Sequence, residues 1–168
     1  MITGSADFRI APANTGDDLA SVRALFQEYA ASLDVDLSLE GFEVELASLP
    51  GNYAPPAGEL LLARSPAGDA LGCIGLRPLS PGICEIKRLY VRPEARGLGL
   101  GRALVAAICG VAEDLGYREI KLDTLPSLTA AAGLYRAMGF IPIPNYGPAS
   151  HPGLLFFGRT LPVPGTRR

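Results

Sequence analysis

Apolar residues recur along the chain with two periods, which divide it into helical and extended stretches. Leu19, Val22, Phe26, Tyr29 and Leu33 lie on one stripe at helical spacing, the pattern of an amphipathic helix with its core face turned inward. Thr15 and Asp18 have capping-box spacing ahead of it and predict where it starts. A second stripe, Leu104, Ile108, Val111 and Leu115, predicts a helix ended by Gly116. A third, Leu128, Ala131, Tyr135 and Met138, predicts one capped by Ser127 and closed by Gly139. Gly133 inside it costs about 1 kcal/mol relative to alanine and implies a close approach by a neighbour or ligand. Weaker periodicity predicts a short helix over 39–49.

Between these stripes, β-branched, aromatic and leucine-rich runs predict strands over 8–13, 59–65, 70–79, 84–91, 119–124, 140–143 and 154–161. The turn at 66–69 makes a hairpin of the second and third, and Pro78, Pro81 and Gly82 turn the chain into the fourth. Three sequential antiparallel strands are therefore followed by a strand, helix, strand unit, whose two strands pair in parallel. The class is α/β of the α+β type, with a mixed sheet rather than a doubly wound parallel one.

Composition narrows the partners. The 168 residues are 48% hydrophobic and 19% charged, as expected of one globular domain over 1–168 with a frayed tail at 162–168. A net charge of −2 provides no overall basic field to recruit nucleic acid. Three cysteines without C-x-x-C spacing indicate neither a disulfide framework nor zinc, and no metal site is expected. With no leader pattern and no apolar run of membrane-spanning length, a cytoplasmic protein without a membrane partner is expected.

The chemistry concentrates after Leu89-Tyr90-Val91, where Pro93 stops the strand and Arg96-Gly97-Leu98-Gly99-Leu100-Gly101-Arg102 leads into the second helix. A glycine loop at a helix start exposes unpaired N–H groups at the positive end of the macrodipole, and two arginines bracket it. A phosphate or pyrophosphate is the expected guest. A mononucleotide P-loop would need Lys and Ser or Thr after Gly101, where Arg102 and Ala103 stand. A dinucleotide fingerprint would need glycine at Leu104.

What remains, Arg-x-x-Gly-x-Gly after a strand ending in Leu-x-Val, resembles the GNAT superfamily of acyl-CoA N-acyltransferases. The stretch LDTLPSLTAAAGLYRAMGF over 122–140 resembles that family's next strand and helix, with its Leu-Tyr-x-x-Met-Gly-Phe signature. The resemblance implies a single-domain GNAT-like fold, a mostly antiparallel sheet of about six or seven strands flanked by about four helices. It implies acetyl-CoA as co-substrate, with Arg96, Gly97, Leu98, Gly99, Leu100, Gly101 and Arg102 around the pyrophosphate. Backbone groups of Leu89, Tyr90 and Val91 would pair with the pantetheine amides as an added strand would.

The implied reaction moves the acyl group to a primary amine by direct attack in a ternary complex. Tyr135 occupies the position of the family's general acid, which protonates the leaving thiolate. Glu85 or Asp123 would take the amine proton directly or through water. Glu85 is the first choice, and the alternative is that it pairs with Lys87 or Arg88 across the sheet. Many relatives hold the coenzyme with an asparagine seven residues before this tyrosine, where the chain has Leu128. That contact must be absent or supplied elsewhere.

The family would set the acidic stretch 34–45 and the loop after it beside the acceptor. His151, in the loop that also carries Tyr146, is read as solvent-exposed. A covalent route through Cys84 or Cys109 would need an activating base and is set aside. The acceptor, a small-molecule or protein amine, is left open, as is a homodimer. A non-catalytic acyl-CoA-binding sensor of the same fold is the alternative function.

Overall fold

A computed structural model describes residues 7–33, 35–37, 41–147 and 153–162. Its elements are β1 (Arg9–Pro12), α1 (Gly16–Ser32), α2 (Phe42–Ser48), β2 (Glu59–Arg64), β3 (Ala70–Ser80), β4 (Ile83–Val91), α3 (Leu100–Asp114), β5 (Glu119–Thr124), α4 (Thr129–Ala137), β6 (Ile141–Pro142) and β7 (Leu155–Thr160). The strands form one seven-stranded sheet in the order β1-β2-β3-β4-β5-β7-β6. Every pairing is antiparallel except β4 with β5. This is the mostly antiparallel, four-helix arrangement anticipated above. No helix among the described residues is long and apolar enough to cross a membrane.

Alternation along the strands separates two cores, one on each face of the sheet. Leu61, Ala63, Ile74 and Leu76 face α3 and α4, while Leu60, Leu62 and Cys73 face α1 and α2. Helix α1 starts where the Thr15 side chain accepts from the Asp18 N–H, and it buries Val22, Leu25 and Phe26 completely. Each of these three contributes roughly 1.5–3 kcal/mol of transfer free energy.

Three local readings are corrected. The N-cap of α4 is Leu128 rather than Ser127, and it makes no side-chain cap bond. A Cβ on Gly133 would meet nothing within 4 Å, so no neighbour approaches there. The extended run at 140–143 shortens to the two residues of β6. His151, residues 39–40 of the short helix predicted over 39–49 and 163–168 of the tail lie outside the described residues.

The site is shaped by two irregularities in β4. It pairs with β5 through only Ile83, Cys84 and Glu85, after which the two strands diverge. It also carries a bulge against β3: Cys73 pairs with Tyr90 but Gly75 with Lys87, so β4 holds one residue more than its partner. The extra residue is Arg88, at φ 62°. Such a conformation costs an ordinary L-residue about 1–2 kcal/mol. Arg88 is held there by a two-point ion pair to Glu45 at 2.9 and 3.0 Å, with its guanidinium 5.2 Å from the centre of the Phe42 ring.

The bulge reverses which face each residue takes. Before it, Cys84 and Ile86 enter the α3/α4 core and Glu85 and Lys87 point toward α1 and α2. After it, Tyr90 enters the α1/α2 core and Leu89 and Val91 pack against the other.

Candidate active site

The divergence of β4 and β5 opens a cavity of about 450 Å³ walled by the end of β4, the glycine loop and the start of α4. Arg92 donates its N–H to Leu71, and Tyr90 lies opposite Cys73. By antiparallel alternation the backbone groups of Leu89 and Val91 therefore turn away from β3 and into the cleft. Tyr90 gives its backbone to β3 and also lines the cavity.

At the far end of the cavity, Gly97 and Gly99 both take φ 82°. Gly99 is the N-cap of α3 and provides no side chain to its first amides. Those N–H groups thus face solvent uncapped, at the positive end of a 15-residue helix. Of the expected coenzyme residues, Leu89, Tyr90, Val91, Arg96, Gly97, Gly99, Leu100 and Gly101 line the cavity. The side chains of Leu98 and Arg102 are exposed outside it. Arg96 folds back over β4, donating from Nε to the Val91 carbonyl at 2.9 Å and lying 5.8 Å from the Tyr90 ring centre.

A second, smaller cavity of about 50 Å³ adjoins the first, and Tyr29, Leu89, Leu128 and Ala131 line both. Tyr135 reaches it from α4, only 4% exposed, with its ring edge-on to Phe140 at 5.6 Å and tilted against Phe157 at 6.4 Å. Burial, with smaller contributions from Tyr29, Cys109 and Asp123, pushes its hydroxyl far above the ordinary tyrosine range. The hydroxyl therefore keeps its proton at neutral pH. Leu128, where many relatives would have an amide, gives both cavities an apolar wall.

The two candidate bases differ in access. Asp123 lines the small cavity beside Tyr135, with Lys87 Nζ at 3.9 Å from its Oδ1. Glu85 lines neither cavity and is 3% exposed. Its Oε1 is held by Arg77 at 2.9 Å, and its Oε2 accepts from the Tyr146 hydroxyl at 2.5 Å. The cross-strand partner of Glu85 is thus Arg77, directly opposite on β3, and not Lys87 or Arg88. In the acidic stretch, Glu45 on α2 accepts from both Arg88 and the Tyr53 hydroxyl.

All three cysteines are buried thiols. Burial pushes Cys84 up to about 12 and raises Cys73 and Cys109 as well, so none is a thiolate at neutral pH. From sequence Tyr29 is expected only on a core stripe, Lys87 only as a partner of Glu85 and Tyr146 only in the loop with His151, while Arg77 has no expected role. For Lys87 a signal existed: two residues after Glu85 on one strand, it must share that residue's face. The contacts of Arg77 and Tyr146 depend on register and loop path, which carry no such mark.

Residues 22–140 match the model of the acetyltransferase (GNAT) family. Among proteins similar in sequence is an uncharacterized N-acetyltransferase of Schizosaccharomyces pombe, 45% identical over 137 residues that cover 76% of this chain and 84% of that protein. In structure, a GNAT-family acetyltransferase from Staphylococcus aureus aligns with a TM-score of 0.76 at 22% identity, over 92% of this chain and 99% of the other. A phosphinothricin acetyltransferase of the GNAT superfamily from Sinorhizobium meliloti, solved in complex with AcCoA, aligns with a TM-score of 0.68 at 20% identity, over 92% of this chain and 88% of its own. The splayed strands and uncapped glycine loop sit within the span of that family match, and the chain accordingly belongs to the GNAT family as an acyl-CoA-dependent N-acetyltransferase.

Proposed function

We propose that the protein transfers an acetyl group from acetyl-CoA to a primary amine by direct attack within a ternary complex. The observation that carries this reading is the continuity of the two cavities. A carrier whose diphosphate sits at the amides between Arg96 and Arg102, and whose amides pair with Leu89 and Val91, has its sulfur end directed toward Tyr135. Arg96 occupies the Val91 carbonyl in the free chain, so its guanidinium swings out to the diphosphate as the carrier enters.

The reaction needs a proton acceptor and a proton donor. An alkylamine is mostly protonated near pH 7, so its nitrogen must lose a proton before it attacks. Asp123 is the group placed to receive that proton, directly or through water, because its carboxylate opens on the same cavity as Tyr135. Glu85, saturated by Arg77 and Tyr146, is assigned to shaping the acceptor side. The neutral nitrogen then bonds to the carbonyl carbon, the carbon–sulfur bond breaks, the electron pair left on sulfur takes the Tyr135 proton, and the second proton shed by the nitrogen returns to the tyrosyl oxygen directly or through water.

The test is release of free thiol from acetyl-CoA in the presence of a panel of amines, followed spectrophotometrically. Amine-dependent release is expected. Coenzyme A binding by calorimetry without release to any amine would instead support an acyl-CoA sensor.

A further inference from the structure

Lys87 is the one buried ammonium on the acceptor side whose contacts do not satisfy it, and this bears on what the acceptor is. Ahead of the bulge it points to the α1/α2 face and lines the small cavity with Tyr135 and Asp123, its side chain 9% exposed. An ammonium has three N–H donors. Among the described residues, Lys87 makes no hydrogen bond, and Asp123 at 3.9 Å is beyond hydrogen-bond reach. The neighbouring cations are treated differently: Arg88 meets Glu45 at 2.9 and 3.0 Å, and Arg77 meets Glu85 at 2.9 Å. Burying a charge without acceptors is unfavourable, so a lysine kept in this state is one whose acceptor arrives with a ligand.

Two further observations say what that ligand carries. Lys121, on β5 beside Glu85, lies 5.2 Å from the Tyr146 ring centre and has no carboxylate in ion-pair range among the described residues. Among the described residues this face carries the cations Arg77, Lys87, Arg88 and Lys121, of which Arg77 is engaged by Glu85 and Arg88 by Glu45. Leu33, Val35, Leu37, Leu125 and Leu154 form an apolar part of the small cavity's wall, beside the polar groups of Tyr29, Arg88 and Thr124.

We propose that Lys87 binds the carboxylate of the acceptor, and that the acceptor is an α-amino acid with an apolar side chain. Its amino group lies toward Asp123 and its side chain against the leucines. This assignment rests on the transferase reading above and goes beyond it only in naming the acceptor class.

The experiment compares L-leucine, leucinamide and 3-methylbutylamine as acceptors for the wild type and for K87M. Leucine turnover is expected, with kcat/KM lower by roughly 100-fold for the two analogues that lack the carboxylate. In K87M the KM for leucine rises by about the same factor while kcat changes little, and coenzyme A affinity by calorimetry is unchanged, which shows the variant is folded. K87R restores part of the loss. Equal turnover of leucine and leucinamide overturns the proposal and leaves the transferase intact. So does a fall in kcat for every acceptor in K87M, which would instead assign the lysine to the thioester oxygen. Thiol release with none of the amines would sink the transferase reading itself.

Discussion

At the scale of single residues, the site turns on how burial treats chemically similar groups. Tyr135 and Tyr146 are both pushed above the ordinary range by burial, but Tyr146 spends its proton on Glu85 while Tyr135 has no hydrogen-bond partner among the described residues. In the proposed reaction the second gives its proton away. Tyr135→Phe should therefore lower kcat by roughly 100- to 10,000-fold, the usual span for a lost general acid, and leave the calorimetric Kd for coenzyme A unchanged. The carboxylates divide the same way. Asp123→Asn should reduce kcat at least about 100-fold, while Glu85→Gln should retain most of the turnover and lower stability in urea by about 1–3 kcal/mol through the weakened Arg77 contact. Loss of turnover in Glu85→Gln alone would return the base to β4.

At the scale of elements, the bulge in β4 and the loop before α3 do the positioning. Arg88 holds a strained backbone because Glu45 and Phe42 on α2 grip its side chain, so α2 and β4 are coupled. Glu45→Ala removes two hydrogen bonds from a guanidinium that is 4% exposed and should cost roughly 1–3 kcal/mol in urea unfolding. The glycines of the loop separate two effects. Gly99 sits at φ 82°, so alanine there should destabilise the fold by about 1–2 kcal/mol. A Cβ on Gly101 would meet Leu134 at an ordinary 3.5 Å. Gly101→Ala should keep its stability and still bind coenzyme A roughly tenfold more weakly, because the methyl stands where the helix amides approach the diphosphate.

For the whole molecule, titrating groups limit stability from both sides of neutrality. Hydrogen bonds from Arg64 and Arg92 lower the carboxyls of Asp18 and Glu28 respectively. Their contribution is present above the unfolded value, near pH 4, and is lost as pH falls through the lowered folded values. Cys84, raised to about 12, and the buried Tyr53 and Tyr135 act in the opposite sense. Their contribution is complete below the unfolded values, about 8.5 and 10, and is lost as pH rises toward the folded ones. The melting temperature should be flat between about pH 5 and 8 and fall on either side. Asp18→Asn with Glu28→Gln should flatten the acid limb only, as followed by scanning calorimetry. If 1–168 is one domain, calorimetric and van't Hoff enthalpies should agree in a single transition.

By itself the sequence determined the element order, the helical stripes and the glycine loop at the start of α3, because periodicity, glycine spacing and capping are local properties. Thr15 and Gly99 act at the helix starts where their neighbours in sequence require them. Tertiary structure decided the rest. The reversal of faces at Arg88 leaves no glycine as a mark, since distant Glu45 and Phe42 supply the force that holds it. Which carboxylate opens on the cavity beside Tyr135, and which lysine lies buried beside it, follow from strand register and from where β4 parts from β5. Those are contests between contacts far apart in the chain, and no short stretch records their outcome.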